Sequence, residues 1–161
     1  MRVLSNINDT MRAAYKWLAD NQLTEQQVKQ RLELALIDNP AKNDLVYETM
    51  QSLREENLLH DEWLAQQIVR RYSHLSNALI FKKLLAKGLH PKLAELTIKN
   101  LAPEKSRAES LAQEKWQDFL IEGGEKCWDQ IQRYLESRGF STVLVTEIIS
   151  EWGDLSSLAH R

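Results

Sequence analysis

A shift of 51 residues lays one part of this chain over another, and that self-similarity limits the fold more than any other feature of the 161-residue sequence. Ile80 falls on Ile131, Leu84 on Leu135, Lys87 on Arg138, Gly88 on Gly139, Leu89 on Phe140, Leu93 on Leu144 and Ile98 on Ile149. An apolar helix closed by a basic residue, a glycine and an apolar residue is thus used twice. An earlier copy matches less well. Thr24, Val28 and Leu32 fall on Ser76, Ile80 and Leu84 at a shift of 52, and Leu45, Met50 and Leu53 fall on Leu93, Ile98 and Leu101 at a shift of 48. The change of shift places an insertion around Ile37 to Asn43, where Pro40 marks a loop. The chain reads as three similar units of about 50 residues, stacked in series as repeat proteins are. Such arrays bind along a surface rather than enclose a reaction pocket.

Each unit reads as a helix triplet. Val28, Leu32, Ala35 and Leu36 recur at the spacing of one helix face, as do Leu45, Thr49, Met50 and Leu53, and then Ile80, Leu84 and Leu85. No window alternates as a strand does. Only 5 Gly and 3 Pro interrupt a chain rich in good helix formers. Thr24-Glu25-Gln26-Gln27 has the form of a capping box, with Leu23 placed to staple against Val28. Ser76 between Leu75 and Ile80, and Ser141 between Phe140 and Val145, repeat the pattern. Ser106 with Glu109 reads as a further capping box, and Asp61 as the cap of a helix from Glu62 to Tyr72. Pro91 suits a first turn, and Gly88 and Gly139 stand where helices want a left-handed terminator. These signals predict an all-α fold, a tandem array of three three-helix repeats with nine helices. The expected limits are an extension over 1–8, repeats over 9–57, 58–102 and 103–153, and a tail over 154–161.

The charge is uneven. Residues 66–100 carry seven cations, Arg70, Arg71, Lys82, Lys83, Lys87, Lys92 and Lys99, against the single anion Glu95, while each flank stands at −4 and the whole chain at −2. A basic middle between acidic ends fits an acidic or phosphate-bearing partner better than a plain solvated face. No catalytic constellation accompanies it. His60, His74, His90 and His160 lack metal-ligand spacing, and Cys127 has no second cysteine with which to form a zinc site or an internal disulfide. Gly123-Gly124 reads as a linker, and Glu55-Glu56 as solvating charge. Among the five tryptophans, Trp17 and Trp63 lie beside Leu18 and Leu64 and read as core. No cofactor, no metal and no enzymatic activity are expected. The start of the chain lacks a signal-peptide core and no stretch approaches a membrane span, so a cytoplasmic protein with no membrane partner is expected.

Two stretches resemble a known family. Leu58-Leu59-His60-Asp61-Glu62-Trp63-Leu64-Ala65, running on through Ile68-Val69-Arg70 to Leu84-Leu85-Ala86-Lys87-Gly88-Leu89, is similar to the Tyr-Leu-Asp-Asp-x-x-Phe-Ala opening and Leu-x-x-Lys-Gly-Ile helix end of the RecX family. Tyr134-Leu135-Glu136-Ser137-Arg138-Gly139-Phe140-Ser141 resembles the Tyr-Leu-x-x-Arg-Gly-Phe-Ser element of its third repeat. Residues 9–153 can be laid along the family pattern. His60 replaces the usual first Asp, Trp63 replaces Arg, and Ser73-His74-Leu75-Ser76 replaces a longer Gly-rich basic connector, as in a divergent member. The resemblance implies an elongated, curved monomer without catalysis of its own. Such a protein docks along the RecA-DNA filament and inhibits or tunes recombinase, ATPase and coprotease functions. Its expected partners are the RecA filament and single- or double-stranded DNA. The contact face is then expected at Arg70, Arg71, Lys82, Lys83 and Lys87, assisted by Arg133 and Arg138. The alternatives are a nucleic-acid reader of helix-turn-helix type, which three-helix units also build, and a helical scaffold with no tie to recombination.

Overall fold

Thr24 shows how the chain starts its helices. Its hydroxyl accepts the amide of Gln27 at 3.3 Å while Gln27 Oε1 accepts the amide of Thr24 at 3.0 Å, so the capping box closes. Amides that a helix start leaves without internal partners are thereby satisfied. Ser76 and Ser141 each accept one amide, from Leu79 and Leu144, at 3.2 Å. The computed structural model describes residues 3–123 and 127–159. Among the described residues nine helices run in order: α1 (Ile7–Asp20), α2 (Glu25–Ala35), α3 (Lys42–Glu55), α4 (Asp61–Arg71), α5 (Asn77–Ala86), α6 (Pro91–Lys99), α7 (Glu104–Gly123), α8 (Cys127–Ser137) and α9 (Thr142–Ala159). There is no strand among the described residues, and no helix there is long and apolar enough to cross a membrane.

Several boundary readings need correction. Asp61 does not cap α4: the carbonyl of His60 accepts the amide of Leu64, so His60 holds the cap position and Asp61 is already helical. Ser106 is likewise inside a helix, because the Pro103 carbonyl accepts the amide of Arg107 and α7 begins at Glu104. Gly123 closes α7 rather than starting a linker, and Gly124 lies outside the described residues, as do Met1, Arg2 and His160. Trp63 is not core. It is 47% exposed, because Leu64, Ala65 and Val69 take the buried face of α4. Trp17 is half-buried against the core of its own unit.

Three helix ends share one device. Gly88, at φ +94°, lets the Leu89 amide reach the Leu84 carbonyl at 3.2 Å and its own amide reach that of Leu85 at 2.9 Å. Gly139, at φ +88°, does the same with Phe140 to Leu135 at 3.3 Å and Gly139 to Glu136 at 2.9 Å. Both are left-handed terminations in which an apolar residue folds back on the helix, and Leu84, Leu89, Leu135 and Phe140 are all buried. Asn57, at φ 55°, ends α3 in the same way, a terminator the sequence reading passes over.

The chain divides into two compact units, Met1–Gln67 with Lys83–Ala94, and Ile68–Lys82 with Glu95–Arg161. In the first, Ala14, Leu23, Val28, Leu32, Leu36, Val46, Met50 and Leu53 form the core. Two fully buried threonines cross it, with Thr10 and Thr49 hydroxyls 2.7 Å apart and each also donating or sharing a proton with a carbonyl of its own helix. In the second unit, Ala108, Ala112, Cys127, Ile131, Leu135, Phe140, Val145 and Ile148 form the core, ringed by Trp116, Trp128 and Trp152. Burial pushes the Cys127 thiol above its ordinary pKa, which keeps it in the unreactive protonated form.

Each unit contains the same junction between successive repeats. In the first, the hydroxyl of Thr24 donates to the Lys87 carbonyl at 2.9 Å, and the amide of Glu25 donates to Asp61 Oδ1 at 3.0 Å. In the second, the amide of Ser76 donates to the Arg138 carbonyl at 2.9 Å, and the amide of Asn77 donates to Glu104 Oε1 at 2.9 Å. The start of a second helix thus receives a carboxylate from the first residue of the next triplet, and gives a proton to a carbonyl at that triplet's glycine terminator. Two hydrogen bonds at each junction thus satisfy groups that helix ends leave without internal partners. The two ends of α5 therefore belong to different units.

Candidate functional site

The basic residues singled out in the sequence occupy distinct posts. In the second unit, Arg70 and Arg71 form the exposed last turn of α4, Lys82 is exposed on α5 and Arg133 is exposed on α8. Among the described residues none of these four pairs with a carboxylate. The ion pairs that do form engage cations of the acidic flanks. Arg54 binds Glu25, Lys105 bridges Glu147 at 2.9 Å and Glu151 at 2.8 Å, and Lys115 approaches Asp118 at 3.9 Å. The two carboxylates on Lys105 raise its pKa further above the usual lysine range. Ion pairs thus engage three cations of the flanks, whereas the positive charge of Arg70, Arg71 and Lys82 in the middle stretch enters none of them. At the end of α4 it also complements the helix dipole.

Arg138 is set apart from that group. Its guanidinium lies 5.2 Å from the centre of the Tyr134 ring, its Nε is buried without a hydrogen-bond partner among the described residues, and its carbonyl serves the junction with Ser76. Lys115 approaches the same ring at 5.9 Å and Phe119 meets it edge-on at 6.2 Å. Arg133 lies within α8, whereas Arg138 follows its last residue, Ser137. In the first unit, Lys83 is exposed on α5, and Lys87 is half-buried with its carbonyl on Thr24. Lys87 and Arg138 are thus repeat equivalents at main-chain junctions before they are cations.

The residue that sequence reasoning missed is Arg107, only 8% exposed in the second unit. Its Nε donates to the Ala102 carbonyl at 3.0 Å, Nη1 to the carbonyls of Ser73 at 2.9 Å and Leu75 at 2.7 Å, and Nη2 to Asn77 Oδ1. Burial lowers its pKa, and Glu104 partly offsets that effect. An arginine in an acidic flank gives no sign of this burial, because three of its four acceptors lie 30 to 34 residues away in sequence. Among the described residues no three His, Cys, Asp or Glu side chains converge as metal ligands would.

No family model matches the sequence, and no curated protein matches it. The fold, however, is that of solved proteins. The crystal structure of RecX from Lactobacillus salivarius matches with a TM-score of 0.69 at 21% identity, covering 90% of this chain and 95% of that one. A crystal structure of regulatory protein RecX matches with a TM-score of 0.61 at 22% identity, covering 90% of this chain and 73% of that one. The chain carries the all-helical RecX fold at low sequence identity.

Proposed function

We propose that this protein is a RecX-like regulator that docks on the RecA-DNA filament and restrains the recombinase, ATPase and coprotease activities of RecA. The fold shared with two RecX proteins supports the reading, as do the motifs around Lys87-Gly88 and Arg138-Gly139. The observation that carries it is the set of exposed cations Arg70, Arg71 and Lys82, in no ion pair among the described residues and drawn from a stretch with seven cations against one anion, with the exposed Arg133 as a fourth. Exposed unpaired cations cost little desolvation to bring against an acidic or phosphate-lined groove, and they steer association. Lys83 and Lys87 add positive charge in the first unit. Many modest contacts along a filament of repeated protomers add up through effective concentration.

The test is RecA-dependent ATP hydrolysis on single-stranded DNA with substoichiometric amounts of this protein. Wild type slows hydrolysis, and Arg70→Glu/Arg71→Glu/Lys82→Glu raises the half-inhibitory concentration by about a hundredfold, as expected when several charge contacts of about 1 kcal/mol are reversed. Undiminished inhibition by the triple variant moves the contact face elsewhere. Tight binding to DNA without RecA, lost steeply with salt, points instead to a nucleic-acid reader.

A further inference from the structure

We propose that Arg107 is a positioning residue for the docking face, holding the chain that follows α4 so that Arg70 and Arg71 are presented in one arrangement. The proposal rests on the reading that those two arginines touch the partner, and all the groups it uses lie within the second unit.

The chain of contacts is continuous. Arg71 ends α4, and its guanidinium lies 5.6 Å from the centre of the Tyr72 ring. Tyr72 is tied back to the helix by its amide on the Ile68 carbonyl at 3.0 Å, and forward by its carbonyl, which accepts the Leu75 amide at 2.9 Å. The His74 ring lies 6.2 Å from that of Tyr72. The carbonyls of Ser73 and Leu75, on either side of His74, both accept from Nη1 of Arg107, and the side chain of Asn77, two residues after Leu75, accepts from Nη2. One planar fork therefore fixes three points of the five-residue stretch from Ser73 to Asn77. The far end of that stretch is pinned by the Ser76 amide on the Arg138 carbonyl. Without the guanidinium, the residues supporting Tyr72 are held only from one side.

The chemistry of the site argues for geometry rather than charge. Every hydrogen-bond acceptor of Arg107 is a neutral carbonyl or amide oxygen. A buried cation without a bonded carboxylate carries a desolvation cost that an apolar side chain of similar size would avoid. What the arginine supplies in return is four directed donors from one rigid plane. Arg107→Lys keeps the charge and most of the stem but cannot span those acceptors, so it separates the two contributions.

The experiment is a double-mutant cycle read as the half-inhibitory concentration in RecA-dependent ATP hydrolysis, with folding of each variant verified by circular dichroism at the assay temperature. Arg70→Ala/Arg71→Ala weakens inhibition. Arg107→Lys weakens it by about tenfold in the wild-type background and by less than about twofold in the Arg70→Ala/Arg71→Ala background, because its effect passes through those residues. The same factor in both backgrounds marks a purely structural role and overturns the proposal. If Arg70→Ala/Arg71→Ala leaves inhibition intact while Arg133 and Lys82 variants lose it, the regulator reading stands and the proposal falls. No inhibition by the wild-type protein removes both. Should Arg107→Lys fail to fold, Asn77→Ala, which deletes one acceptor of the same guanidinium, takes its place in the cycle with the same expected pattern.

Discussion

Replacing Gly139 by Ala exposes how the repeats are joined, because two costs add at that position. At φ +88° a side chain enters the left-handed region, where Cβ crowds the backbone at a cost of about 1–2 kcal/mol. The new Cβ would also stand 2.4 Å from Leu79 Cδ1, 2.6 Å from Ser76 Oγ and 2.7 Å from Leu79 Cγ. Both neighbours must give way, Leu79 by leaving its rotamer at about 0.5–1.5 kcal/mol and Ser76 by weakening, at a cost of up to about 1 kcal/mol, its bond to the amide it caps. Reduced freedom of the unfolded chain offsets about 0.4–1 kcal/mol of this. The net expected loss is about 2 kcal/mol. Gly88→Ala is the natural comparison. Its φ is +94°, but the atoms its Cβ would meet are Thr24 Oγ1 at 3.0 Å, Gln26 Oε1 at 3.1 Å and Gln26 Cβ at 3.4 Å, and the exposed Gln26 can swing away. Thr24 Oγ1 need give by only a few tenths of an ångström, so little is added to the backbone cost, about 1 kcal/mol after the same offset. Urea unfolding followed by circular dichroism measures both variants, comparing each affected transition with its wild-type counterpart. At an m-value of about 2 kcal/mol per molar, Gly139→Ala should lower its midpoint by about 1 M and Gly88→Ala by about half that. Equal shifts, or a larger shift for Gly88→Ala, would refute the claim that the second junction is packed directly onto the glycine.

Two further outcomes follow from polar groups inside the first unit. Thr49→Val keeps the volume but removes a buried hydroxyl bonded to Thr10 and to the Leu45 carbonyl, so it should cost about 1 kcal/mol in urea unfolding. Thr10→Val removes the same shared bond together with that to the Ile7 carbonyl, so the double variant should cost less than the two single variants summed, and a strictly additive pair would contradict the shared bond. Asp61 has its pKa raised, first by burial and then by the Glu25 charge, against the lowering effect of the Glu25 amide it accepts. A folded pKa above the unfolded one means that ionisation costs stability above the folded value, and that the cost disappears below the unfolded value near about 3.9. Asp61→Asn should therefore be the more stable protein at neutral pH. Its advantage should shrink as pH falls through the carboxylate range, and an advantage that grows on acidification would reverse the assigned cause.

The sequence by itself determined the helices, several of their ends and the fact of repetition. Thr24, Ser76 and Ser141 cap helices three residues ahead, and Gly88 and Gly139 terminate helices over a span of six, so the signals for these features sit within one or two turns. Local geometry decides them, and local geometry is written in neighbouring residues. The tertiary structure alone decided what those ends touch. Asp61 looks like the cap of its own helix but serves the amide of Glu25, 36 residues earlier, and Glu104 serves Asn77, 27 residues earlier. Trp63 and Arg107 exchange the places that hydrophobicity assigns them, the indole exposed and the guanidinium buried. A side chain that serves a helix end elsewhere in the chain is chosen by which orphan donor or carbonyl packing brings beside it, and spacing along the chain does not encode that neighbour.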